Sequence, residues 1–106
     1  MALSVCPTAE VAASVEDVWA LLADPAAFDR WWDARTDRID PPGPSCEGQE
    51  IEARSAGIVR FKARLERVDP RAHVLVVATA FPFGLRVRTE IRCVALSSGR
   101  SRISFG

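Results

Sequence analysis

The chain has 106 residues, of which 48% are apolar and 26% charged, with 14 basic side chains balanced by 14 acidic ones. That length supports one core and not two, and the composition is globular, without a low-complexity tract or a repeat. The apolar run Val74–Phe83, broken by Thr79, is about half of the roughly 20 residues a membrane-spanning helix needs, and Met1-Ala2-Leu3-Ser4 lacks the basic, long apolar start of a signal peptide.

In chain order, Ser4–Ala13 places Val5, Ala9 and Val11 at even spacing and predicts a first strand, with Pro7 marking an edge or irregular start. Ser14-Val15-Glu16-Asp17 resembles a capping box with Asp in place of Glu, and Val15, Val18, Trp19 and Leu22 follow at helical spacing. A short amphipathic helix ending near Ala23 is expected. Asp24-Pro25 then reads as an N-cap followed by proline at the first helical position, with Phe28, Trp31 and Trp32 at i, i+3 and i+4. This predicts a second helix of about two turns. A weak strand over Arg35–Asp40 precedes the loop Pro41–Gly48.

The remainder predicts a meander of strands over Gln49–Ser55, Ile58–Val68, His73–Phe81, Leu85–Leu96 and Ser101 to the end. Ala56-Gly57, Asp69-Pro70-Arg71-Ala72, Pro82-Phe83-Gly84 and Ser97-Ser98-Gly99 supply the turns, and connections this short make the sheet antiparallel. Alternation sets the faces. Val59, Phe61, Ala63 and Leu65 oppose Arg60, Lys62, Arg64 and Glu66, while Leu85, Val87, Thr89, Ile91 and Cys93 oppose Arg86, Arg88, Glu90 and Arg92. Between them, Leu75, Val77, Thr79 and Phe81 face inward, and Val74, Val76, Ala78 and Ala80 face outward, where neighbouring arginine stems can cover them.

Several stretches resemble one superfamily. Ala13–Pro25 resembles the first-helix signature of the START-like, or Bet v 1-like (SRPBCC), superfamily, which includes polyketide cyclases and dehydrases and lipid-transfer proteins. Phe28-Asp29-Arg30-Trp31-Trp32 resembles its second helix, Gly48 stands where a glycine commonly opens the third strand, and Leu65–Pro70 resembles its "evdP" hairpin. The resemblance implies an α+β, helix-grip-like fold: a curved antiparallel sheet with two short helices after the first strand. It also implies a long C-terminal helix across the concave face, which is missing here because the sequence stops at Gly106. Either the sequence is a fragment, a C-terminally short single domain over residues 1–106, or something else covers the apolar face.

The chemistry-bearing residues are sparse. Cys6, Cys46 and Cys93 are odd in number and share no metal-ligand spacing, so neither a disulfide framework nor a zinc site is expected. No metal and no cofactor are expected. His73 lies after the Asp69-Pro70 turn, where contact with Asp69 fits an ordinary turn, and no catalytic residue is assigned. The inward residues include Thr79, Thr89, Cys93, Gln49 and Ser55, with no inward carboxylate. Residues 1–52 carry 11 acidic and 3 basic side chains and residues 53–106 carry 3 and 11, yet no block of five like charges occurs. The basic residues alternate with apolar ones, as on a solvated sheet face, and no nucleic-acid partner is expected. All but one are Arg, which together with abundant Ala points to a GC-rich bacterial genome.

These readings predict a cytoplasmic domain that binds a neutral apolar small molecule in a cavity between sheet and helices. The expected lining is Trp32, Phe61, Leu75, Val77, Thr79, Phe81, Val87, Thr89, Ile91 and Cys93, with Phe83 as a gate at a hairpin tip. The resemblance leaves two alternatives: a polyketide aromatase or cyclase, and an interaction module of the chaperone-activator or ribosome-associated kind. A bare concave face forfeits burial, so a homodimer or the missing helix is expected to cover it.

Overall fold

The computed structural model describes residues 8–56 and 58–106, so the expected start of the first strand at Ser4 lies outside the described residues. Among the described residues seven strands form one antiparallel sheet: β1 (Thr8–Val11), β2 (Arg35–Asp40), β3 (Glu50–Ser55), β4 (Val59–Asp69), β5 (Val74–Ala80), β6 (Arg86–Ser97) and β7 (Arg100–Phe105). Their spatial order is β1-β7-β6-β5-β4-β3-β2. Helix α1 (Val15–Leu22) and a 3₁₀ helix (Pro25–Arg30) follow β1. The expected α+β, helix-grip fold is therefore present. Among the described residues no helix is long and apolar enough to cross a membrane.

Local chemistry fixes α1 at both ends. The Ser14 hydroxyl accepts the Asp17 N–H at 3.2 Å, satisfying an orphan first-turn donor, and Glu16 and Asp17 complement the positive end of the helix. At the other end Ser45 donates its N–H to the Ala23 carbonyl at 2.8 Å and its hydroxyl to the Leu22 carbonyl at 2.6 Å. The second helix differs from the α-helix expected. Asp24 caps the Ala26 N–H, Pro25 starts the turn, and the N–H groups of Ala27 and Trp31 reach carbonyls three residues back. A piece this short, tied to β2 soon after, tightens into 3₁₀ geometry.

Val15, Val18 and Leu22 from α1 and Phe28 from the 3₁₀ helix pack on Ile51, Leu65, Leu75, Val77, Ile91 and Cys93 of the sheet. Phe28, Ile51, Leu65 and Leu75 are fully buried, and each such burial contributes about 1.5–3 kcal/mol. A bulge between Leu65 and Arg67 keeps Val68 opposite Leu75 on the same face. On the convex face Val74 and Val76 are also buried, flanked in register by Asp69, Arg67, Glu90 and Arg92. The ion pairs Arg67–Asp69 (2.9 Å) and Arg92–Glu90 (2.7 Å) hold those stems in place.

Candidate functional site

Cross-strand rows on the concave face grade from buried to open. The row Val68–Leu75–Ile91–Phe105 lies toward α1, followed by Leu65–Val77–Thr89, then Ala63–Thr79–Val87. Leu75 and Ile91 are buried, Thr89 and Thr79 are half-buried, and Val87 is 43% exposed. Helical cover thus ends at the Val77–Thr89 row. The cavity expected between sheet and helices is filled there by Val15, Val18, Leu22 and Phe28, apart from a crevice of about 40 Å³ bordered by α1, Trp31, Ile91, Ile103 and Phe105.

Beyond that row the concave face is an open trough. Its wall is a row of three aromatic rings backed by the buried Phe28: Phe28 meets Trp32 at 5.2 Å between centroids, Trp32 meets Phe61 at 5.5 Å, and Phe61 meets Phe81 at 5.2 Å. Edge-on and tilted contacts of this kind are the favoured aromatic geometries. Of the residues the sequence assigns to a cavity, the structure brings Trp32, Phe61, Thr79, Phe81, Val87 and Thr89 together on this surface. Leu75, Val77, Ile91 and Cys93 stand instead in the packed core, between 0% and 6% exposed. Phe83 is fully exposed to solvent and packs against no part of the trough.

Two residues outside the sequence-based set orient this wall. The Asp29 carboxylate accepts hydrogen bonds from the Trp32 indole N–H (3.2 Å), the Thr36 N–H (2.9 Å) and the Thr36 hydroxyl (2.6 Å). These bonds tie the end of the 3₁₀ helix to β2 and set the plane of Trp32. The hydroxyl bond from Thr36 is the main reason the Asp29 carboxyl lies below the usual carboxylate range, with the Trp32 and backbone bonds and the Arg35 charge adding to it against partial desolvation. Asp29 sits three residues before Trp32, a spacing that signals a possible bond, but the seven-residue separation from Thr36 carries no signal in the sequence.

The other polar candidates have structural roles. Gln49 is fully buried, donates to the Pro41 carbonyl at 2.7 Å and accepts the Cys46 N–H at 3.3 Å, stapling the loop below the sheet. Ser55 donates to the Asp33 carbonyl. His73 lies at the far end of β5 from the trough, edge-on to Trp19 at 5.7 Å, while Asp69 accepts the Ala72 and Arg71 N–H groups and the Arg67 guanidinium. The Asp69 carboxyl is lowered first by the Ala72 N–H and then by Arg67. Burial pushes the Cys93 thiol up, away from the thiolate form. An open groove of about 670 Å³ meets the trough at Phe61 and Phe81, but its other walls include the charged residues Asp37, Glu52, Arg54, Arg60 and Lys62. Among the described residues no group of three or more His, Cys, Asp or Glu side chains is placed to hold a metal ion.

Residues 3–106 match the family described as polyketide cyclase/dehydrase and lipid transport. No curated protein sequence matches the chain. Among solved structures the fold is similar to the Zhui aromatase/cyclase from Streptomyces sp. R1128, with a TM-score of 0.75, 23% identity and coverage of 95% of this chain and 63% of that one. Norcoclaurine synthase from Thalictrum flavum gives a TM-score of 0.70 at 17% identity, covering 95% of this chain and 65% of the synthase. A protein from Thermobifida fusca solved by NMR gives 0.75 at 22%, covering 95% and 69%. The chain spans less than two thirds of the length of the first two, and at these identities the likeness is one of fold.

Proposed function

The chain belongs to the polyketide cyclase/dehydrase and lipid transport family, and from that premise we propose that it binds a neutral apolar small molecule in the open trough. The observation that carries this reading is the half-exposed aromatic row from Trp32 through Phe61 to Phe81, whose Trp32 is oriented by Asp29. Such a wall offers flat apolar area at low conformational cost, and the neighbouring Thr79 and Thr89 hydroxyls supply direction. The lipid or polyketide class of ligand fits an elongated apolar surface with few polar groups.

Titration with the neutral dye Nile red tests the reading. Val87→Trp fills the trough from an exposed position and Thr89→Leu removes a hydroxyl from it, so both variants are expected to keep the native circular dichroism. The expected loss is about tenfold in dye affinity for Val87→Trp, the equivalent of one displaced apolar contact surface. Unchanged affinity in both folded variants removes the trough from consideration. A cyclase-type reaction is the second reading, favoured by the two threonines Thr79 and Thr89 in adjacent rows of the same sheet face, and recovery of an altered rather than an intact ligand would select it.

A further inference from the structure

Two adjacent hairpin tips at the trough end of the sheet are apolar and exposed. The β5–β6 tip presents Phe83, with essentially its whole surface in solvent, and Leu85 at 58% exposure; the β3–β4 tip presents Ile58 at 82% and Val59 at 40%. Neither packing nor backbone preference accounts for Phe83. Its φ of +68° is followed by Gly84 at +77°, a pair of left-handed positions where asparagine and glycine are favoured and a bulky side chain is strained. The turn is closed by the Phe81 N–H on the Leu85 carbonyl at 2.8 Å, so the phenyl ring is held outward.

Basic side chains prevail on the tips themselves, while Asp37 and Glu52 line the neighbouring groove that Arg60, Phe81 and Pro82 border, Asp37 being paired with Arg54. Segments 55–61 and 80–88 contain three arginines, Arg60, Arg86 and Arg88, and no carboxylate. Arg88 pairs with Glu66 at 2.7 Å, whereas Arg60 and Arg86 form no ion pair among the described residues. Arg86 flanks the convex side of the tips in register with Ala80 and Lys62. Protruding apolar side chains backed by unpaired cations match a fluid apolar layer beneath anionic groups. Two like-charged tips brought together in a symmetric pair of copies would repel, which disfavours a second copy as the occupant.

We propose that these two tips dock the trough end of the sheet onto an anionic lipid surface, with Phe83, Ile58 and Leu85 entering the acyl boundary and Arg60 and Arg86 meeting the headgroups. The proposal stands on the tips and not on trough occupancy. Co-sedimentation of the full chain with vesicles of equimolar phosphatidylcholine and phosphatidylglycerol, and with pure phosphatidylcholine vesicles, tests it. Binding to the mixed vesicles is expected to be at least about tenfold tighter. Phe83→Asn, which suits the turn backbone, is expected to weaken that binding about tenfold or more while leaving Nile red affinity unchanged. The double variant Arg60→Ser with Arg86→Ser is expected to abolish the difference between the two vesicle types. No sedimentation with either vesicle, equal binding to both by the native chain, or a self-association that Phe83→Asn removes would each overturn the proposal.

Discussion

The Asp29 carboxylate accepts the Trp32 indole and both donors of Thr36 at 2.6–3.2 Å, so an exposed acid decides the orientation of the ring at the helix end of the trough's aromatic row. Because its carboxyl is held below the usual range, the stabilisation it gives is complete above the unfolded value near pH 4 and is lost as pH falls through the depressed folded value. Asp69 acts with the same sign through the Ala72 N–H. Asp29→Ala is expected to cost about 1 kcal/mol, below the usual range for hydrogen bonds to charged groups because the site is exposed. Acid unfolding followed by tryptophan fluorescence checks this: the gap between wild type and variant should close on acidification, and parallel acid curves would discount the clamp.

At the scale of elements, the alternation of Phe61, Ala63 and Leu65 against Lys62 and Arg64 made the faces of β4 legible, and strands β2 to β7 fall within one residue of their expected ends. Periodicity assigns a face but not how far a neighbouring helix reaches over it. For that reason Leu75, Val77, Ile91 and Cys93 read as equivalent to Thr79, Thr89 and Val87, although α1 and Phe28 pack with the first four and the others stay more open. The 3₁₀ geometry of Pro25–Arg30 was hidden similarly, since i, i+3 and i+4 spacing suits both helix types over two turns. Gln49 was legible as inward but not as the staple of the Pro41–Gly48 loop, which depends on where the loop folds back. Gln49→Leu leaves the Pro41 carbonyl and Cys46 N–H without their partner. A loss of about 2 kcal/mol is expected in urea unfolding, within the range for buried unsatisfied groups. A loss under about 0.5 kcal/mol, the scale of a surface substitution, would show that the loop is held by other contacts.

Across the whole molecule, the acidic first half and basic second half of the chain do not become two unrelated patches. Glu50 pairs with Lys62, Asp37 with Arg54, and Glu10 with Arg100 and Arg102, so much of the opposition is spent in cross-strand contacts. What remains unequal is the concave face, packed under α1 and open from Thr89 to the hairpin tips. Binding in that open part, and not beneath the helices, is the central claim. Methyl-resolved NMR during titration with decanol addresses it most directly. The account predicts saturable shifts at the Thr79, Thr89 and Val87 methyls, with Val15, Val18 and Leu75 nearly unmoved; saturable shifts confined to Val15, Val18 and Leu22, or none at the trough methyls, would contradict it.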